Sequence, residues 1–309
     1  MRTPFRRVPA LATSSLISAL VLGAAAGCGS EQAAADDAVR VVASIDVYGD
    51  LAGTIGGDRV RVTSVIDDPS ADPHSYEASV RTQLAVSQAD LVIENGGGYD
   101  DFMQKLLSAT DATATVLNAV DAAGLDAGAA GFNEHVWYDL PAMSALAGQV
   151  ADALSRVDPT GADTYAANAA QLERGIEALV AREQSARGTT QGAGVATTEP
   201  VPGHLLDALG AENRTPAEFS AAVEAGGDVA PEVLRQTLAL FSSGSVRALV
   251  YNEQTSGPDT ERVLHAAEVA GVAVVPVTET LPQGEHYLSW MGANLDAVVA
   301  ALSARGPGQ

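Results

Sequence analysis

From Thr160 to Arg187 the chain carries no proline, and Gly161 and Gly175 are its only glycines there. Within that stretch Tyr165, Ala169, Leu172, Ile176 and Leu179 recur at steps of four, three, four and three, which is one face of an α-helix. At 1.5 Å per residue the helix reaches on the order of 40 Å, longer than a small domain is wide. Asp158-Pro159 ends the helix before it, because proline lacks the backbone donor and pushes the preceding residue to extended geometry. A rod this long in the middle of 309 residues leaves two plans. Either it joins two lobes and restricts their motion, or it is a surface helix of one of them.

The flanking segments favour two lobes. Val39 to Ser44, Val60 to Ile66 and Leu91 to Asn95 are β-branched, apolar runs that read as strands. Ser79 to Gln88 reads as a short helix with Leu84 on its buried side. The second half repeats the pattern, with strands at Gly194 to Thr198, Val246 to Tyr251 and Val272 to Val277 and helices at Pro231 to Phe241 and Thr260 to Ala270. Strands alternating with helices indicate an α/β fold. The expected architecture is two lobes, each a mainly parallel sheet flanked by helices, joined by one long rigid backbone helix. The expected boundaries are an N-terminal lobe over 38–158, the linking helix over 159–188 and a C-terminal lobe over 189–309. Aromatic residues make up only 5% of the chain, so its cores rest on Ala, Val, Leu and Ile.

The start reads as an export signal over 1–27. Arg2, Arg6 and Arg7 form a basic region before an apolar stretch from Leu11 to Ala26, which is short for a membrane span. Ala25-Ala26-Gly27-Cys28 resembles a bacterial lipobox, which would make Cys28 a lipid-carrying N-terminus. The alternative is a plain cleavage site followed by an unused cysteine. Residues 28–37 then read as a flexible tether. Cys28 is the sole cysteine, which excludes an intrachain disulfide and a thiolate metal site.

The formal charge of −22 becomes −25 once Arg2, Arg6 and Arg7 leave with the signal. Such a surface repels nucleic acid, whose phosphates need Lys and Arg, and attracts cations. Solubility alone also accounts for acidity.

Three of four candidate side chains follow strands, where α/β sheets bind ligands, and the fourth precedes a helix. His74 lies in Asp72-Pro73-His74-Ser75-Tyr76-Glu77, after the strand ending at Ile66. His135 lies in Asn133-Glu134-His135-Val136-Trp137-Tyr138-Asp139, just before a helical pattern that starts near Pro141. Taken alone, each histidine also reads as an ordinary loop residue. Glu199 and Glu279 follow apolar strands of the second half. Two neutral imidazoles and two carboxylates balance one divalent cation, and this donor set suits zinc, iron, copper and manganese. His204, five residues after Glu199, is an alternative third ligand. Glu253, at the end of another strand, is a fallback ligand or a plain surface acid. His286, beside Glu285, is a further alternative. His265 sits inside a helix and reads as structural. Asp139 is either the group that orients a ligand histidine through its second ring nitrogen or a plain acid at a helix N-terminus.

In combination, Val41-Val42-Ala43-Ser44, Gly56-Gly57-Asp58, Asp72-Pro73-His74-Ser75-Tyr76-Glu77, Ala89-Asp90-Leu91-Val92 and His135-Val136-Trp137 resemble the metal-binding solute-binding proteins of zinc and manganese ABC importers. The likeness runs from about Val39 to about Ala301. It implies two α/β lobes with one ion between them and a rigid helix joining them. The family's first and second histidines fall on His74 and His135. Its third ligand falls on Glu199, eleven residues before Gly210; zinc receptors often carry His there and manganese receptors Glu. Its fourth, usually Asp, falls on Glu279 ahead of Tyr287, one methylene longer. The His-rich loop of many zinc receptors is missing, since Asp121 to Phe132 contains no His.

The resemblance implies a monomeric, extracytoplasmic lipoprotein on the outer face of the cell membrane. It would carry Zn2+ or Mn2+ to an importer's permease and ATPase and would catalyse nothing. Two other readings remain. A receptor for another solute, such as chelated iron or a corrinoid, would need a wide aromatic or Arg-lined cleft. A metallohydrolase would need an open coordination position and a placed base, and neither His-Glu-x-x-His nor Gly-x-Ser-x-Gly occurs.

Overall fold

The structure, a computed structural model, describes residues 38–68, 76 and 78–304. His74, Cys28, the expected signal over 1–27 and the expected tether over 28–37 lie outside the described residues.

Each lobe is built on four parallel strands. In the first, β1 (Val39–Ile45), β2 (Val60–Ile66), β3 (Leu91–Glu94) and β4 (Thr115–Asn118) lie in the order β2-β1-β3-β4. Val41 sits opposite Val62 on one side and Leu91 on the other. Helices α1 (Asp46–Gly56), α2 (Val80–Ser87), α3 (Asp101–Ser108), α4 (Ala119–Ala122) and α5 (Leu140–Val157) accompany this sheet, and α6 (Ala162–Thr190) leads out of the lobe. The second lobe holds β5 (Gly194–Thr197), β6 (Glu212–Asn213), β7 (Ala248–Asn252) and β8 (Ala273–Val277) in the order β6-β5-β7-β8, the same topology strand for strand. Its helices are α7 (Gly203–Ala208), α8 (Ala217–Glu224), α9 (Pro231–Ser242), α10 (Pro258–Val269) and α11 (Tyr287–Ser303).

The central strands β3, β5 and β7 are buried at every residue, as expected where helices cover both faces of a parallel sheet. Pro276 is tolerated in β8 because that strand is an edge and its missing N–H breaks no ladder. The expected strands and helices are present, with ends shifted by at most three residues. Strands β4 and β6 and helices α1, α3, α4, α7 and α8 were not among the segments singled out from the sequence; they are two to eleven residues long. The expectation for Leu84 is corrected. It is 56% exposed and Val80 is 83% exposed, whereas Val86 is the buried residue of α2. This helix covers the lobe with one residue, so its apolar content does not mark its inner face.

Helix α6 has 29 residues, about 43 Å at 1.5 Å per residue. All five residues of its apolar stripe are buried, each contributing roughly 1.5–3 kcal/mol for a large side chain. It packs against α1 and α5 of the first lobe and α11 of the second. Gly175 marks the closest approach: a Cβ there would lie 2.4 Å from Leu288 Cδ1 of α11. A glycine in a helix interior costs about 1 kcal/mol, and here it lets two helices meet. One continuous core runs from β1 and β3 through α5 and α6 to Val250, Val275, Tyr287 and Leu295 of the second lobe. Separating the lobes would expose part of that core, so the linking helix holds them as one body.

Hydrogen bonds reinforce the junction. Leu281 N donates to Asp46 Oδ1 at 3.0 Å, Tyr287 N to Asp50 Oδ2 at 2.8 Å and Tyr287 Oη to Trp137 O at 2.8 Å. Tyr138 Oη donates to Thr278 O at 3.0 Å and accepts from Asn294 Nδ2 at 3.2 Å.

Candidate metal centre

The second sheet gathers three polar residues at the carboxyl ends of neighbouring strands. Glu199 comes two residues after β5, Asn252 ends β7 and Glu279 comes two residues after β8. A parallel sheet points all three the same way, and all are buried, at 2%, 1% and 1% exposure. The Asn252 amide donates to Glu199 Oε2 at 2.5 Å and to Glu279 Oε1 at 2.9 Å. Thr255 Oγ1 also donates to Glu199 Oε2, at 2.7 Å. One neutral amide therefore holds two buried carboxylates side by side. Two such charges repel strongly out of water, and a cation between them would relieve that repulsion.

His135 approaches these acids from the first lobe. It is fully buried and opens the short 3-10 turn Val136–Tyr138. Its Nδ1 lies 2.7 Å from Asn133 Oδ1, and its backbone N–H donates to the same oxygen at 3.1 Å. The Asn133 side-chain amide is fixed the right way round because its Nδ2 donates to Pro200 O at 2.9 Å. A neutral imidazole must then carry its proton on Nδ1 and its lone pair on Nε2. That Nε2 lies 3.8 Å from Glu279 Oε2 and 3.8 Å from Glu224 Oε1. The spacing is too long for a hydrogen bond and suits donors that converge on a shared centre.

Glu224, the last residue of α8, was not found by sequence reasoning. It follows no strand and sits in a helix that was itself missed. Donor atoms of Glu134, His135 and Glu224 lie within 4.8 Å of one another. Burial, followed by the charges of Glu134, Glu199 and Glu279, pushes the Glu224 carboxyl up to about 8. Burial and then Glu279 likewise push the hydroxyls of Tyr99 and Tyr138 upward. The Tyr99 ring meets the edge of His135 at 5.8 Å between centroids, so an apolar wall backs the imidazole.

The other candidates are placed elsewhere. His204 Nε2 lies 3.0 Å from Asn133 O, an acceptor, so this nitrogen carries the proton, and the remaining lone pair on Nδ1 faces Asp139 Oδ2 at 3.8 Å. Glu253 lies just beyond the end of β7 and is exposed, whereas Asn252, the last strand residue, is buried. His286 has a side chain 78% exposed and pairs with Asp50, Nδ1 to Oδ1 at 2.6 Å. His265 is exposed on α10. Of the two readings of Asp139, the structure shows the acid at a helix N-terminus: Asp139 Oδ1 caps α5 by accepting from Ala142 N at 3.1 Å, and Asn133 is the residue on the second nitrogen of His135.

The model of the family described as zinc-uptake complex component A, periplasmic, matches residues 41–301. The manganese-binding lipoprotein MntA of Halalkalibacterium halodurans is 31% identical over 160 residues, 50% of this chain and 53% of that protein. The chain thus spans about half the length of that relative. The manganese ABC transporter substrate-binding lipoprotein PsaA of Streptococcus mitis is 26% identical over 317 residues, covering 93% of this chain and 96% of that protein. Among solved structures, the crystal structure of ZnuA superposes with a TM-score of 0.71 at 20% identity, over 86% of this chain and 98% of that one. At that identity the likeness is one of fold.

Proposed function

Since this chain belongs to the periplasmic zinc-uptake component A family, we propose that it captures one divalent transition metal, zinc or manganese, between its lobes. It presents the ion to the permease of an ABC importer driven by its ATPase. His74 and His135 supply imidazole, and Glu199 and Glu279 supply carboxylate. One observation carries the reading: a buried imidazole of the first lobe, with its Nε2 lone pair fixed by Asn133, faces a buried carboxylate of the second at 3.8 Å.

The protein is a receptor and performs no catalysis. A set of four protein donors leaves little room at the ion for a substrate, whereas hydrolytic zinc sites keep a position open. Binding proceeds with lobes that move little, because α6 and the continuous core join them. Residues 1–27 are a lipoprotein signal peptide and 28–37 a tether. Lipidation at Cys28 holds a monomer on the outer face of the cell membrane. The lobes divide at the linking helix, 38–158 on one side and 189–309 on the other. The ion itself is the cargo.

The test is elemental analysis of the purified mature chain beside a His74→Ala, His135→Ala double variant. The wild type is expected to hold about one equivalent of metal and the variant far less. Equal content in both would remove the site.

A further inference from the structure

Glu224 brings a carboxylate of the second lobe to the candidate site, with donor atoms of Glu134 and His135 within 4.8 Å. It is the final residue of α8, and the C-terminal end of a helix carries the negative pole of its dipole. Gly226, with φ +64°, follows Ala225 and ends the helix, with Gly226 N donating to Val223 O at 2.9 Å and Gly227 N to Ala222 O at 2.8 Å. The residue is thereby held in place. Its Oε1 is buried and has no hydrogen-bond partner among the described residues. Glu134, Glu199 and Glu279 surround it with like charge. The group it faces is His135 Nε2, at 3.8 Å, the same nitrogen that faces Glu279.

We propose that Glu224 is a further ligand of the captured ion and that it biases the site toward manganese over zinc. The inference rests on the metal-receptor reading above. With Glu224 the proposed donors are one fixed imidazole and the carboxylates of Glu199, Glu279 and Glu224, with the Glu134 carboxylate also within 4.8 Å of His135 and Glu224, before His74 is counted. Zinc is content with four donors in a tetrahedron. Manganese prefers oxygen donors and a larger shell, and intrinsic affinity alone would favour zinc at any such site. An added oxygen donor is therefore the kind of feature that shifts the balance toward the weaker-binding ion. The sequence hides it, since Val223-Glu224-Ala225-Gly226 looks like an exposed helix end.

Mn2+ and Zn2+ are titrated separately into the metal-stripped mature chain and into Glu224→Gln, Glu224→Ala and His135→Ala variants. Circular dichroism verifies that each is folded. Glu224→Gln is expected to lose Mn2+ affinity by on the order of tenfold or more while Zn2+ affinity changes by less than about threefold. X-ray absorption of the Mn2+-loaded variant should show one oxygen fewer around the ion. Unchanged Mn2+ binding in both Glu224 variants, or equal loss of both metals, overturns the proposal. Retention of both metals by His135→Ala, or a wild type that binds neither, overturns the metal-receptor reading itself and this inference with it.

Discussion

Asn133 and His135 form the joint on which the candidate site turns: Asn133 Oδ1 lies 2.7 Å from His135 Nδ1, while the same side chain donates to Pro200 O of the other lobe at 2.9 Å. One amide thus sets a tautomer and spans the cleft. Replacing it with alanine should leave the ring free to turn and to exchange its proton between nitrogens. Asn133→Ala is expected to lower metal affinity about tenfold or more with little change in far-UV circular dichroism. Wild-type affinity in a competition titration would count against this role.

Gly203 lies against that joint. A Cβ at this position would stand 2.4 Å from Asn133 Nδ2, closer than such atoms approach. Gly203→Ala should displace the Asn133 amide and weaken metal binding through it, although residue 203 touches no proposed ligand. Weakened binding in Gly203→Ala that adds nothing to Asn133→Ala in a double variant would mark the shared route.

His286 is exposed and paired with Asp50, and Glu253 is exposed beyond the end of β7. His286→Ala and Glu253→Gln should bind the wild-type equivalent of metal. A loss of metal in either, measured by elemental analysis, would move the site from where it is proposed.

Glu183 of the linking helix is 4% exposed, and its Oε1 has no hydrogen-bond partner among the described residues. Burial, followed by the charge of Asp139, pushes its carboxyl from 4.5 up to about 7. Between those values the folded chain keeps a proton that the unfolded chain releases. Its contribution to stability is therefore best below pH 4.5 and declines as pH rises through 7. Glu183→Gln should flatten that dependence and stabilise the protein at pH 8 by on the order of 2 kcal/mol. Urea unfolding at pH 5 and pH 8 checks it; a variant less stable than wild type at pH 8 would contradict it.

Tyr287 Oη is buried and donates across the junction to Trp137 O at 2.8 Å. Tyr287→Phe leaves that carbonyl without this donor, at a cost of about 1–2 kcal/mol. Thermal unfolding should show the loss as a lower midpoint in one cooperative transition, since the two lobes share a core. A second transition appearing in the variant would indicate lobes that unfold independently.

Some of this was legible in the residue order. The stripe from Tyr165 to Leu179 announced the linking helix because a buried helical face repeats every three or four residues, whatever it packs against. The β-branched runs before Glu199 and Glu279 gave the strand ends, and parallel pairing turned both acids to one side. Leu84 was misplaced because apolar character alone does not say which face of a short edge helix has neighbours. Asn252 lay one residue before Glu253, and only the end of the buried strand between them decided which of the two was covered. Glu224 carried no local signal, since an acid at the end of an unremarkable helix is usually solvated.

The residue order alone determined the two-lobed α/β plan, the long helix between the lobes and the strand-end acids, because periodicity and chain punctuation are local properties. The tertiary structure decided which donors meet. The encounters of His135 with Glu279, of Asn133 with Pro200 and of Glu224 with His135 span 144, 67 and 89 positions. At such separations proximity is set by how sheets and helices pack against a shared core, and no window of sequence contains that information.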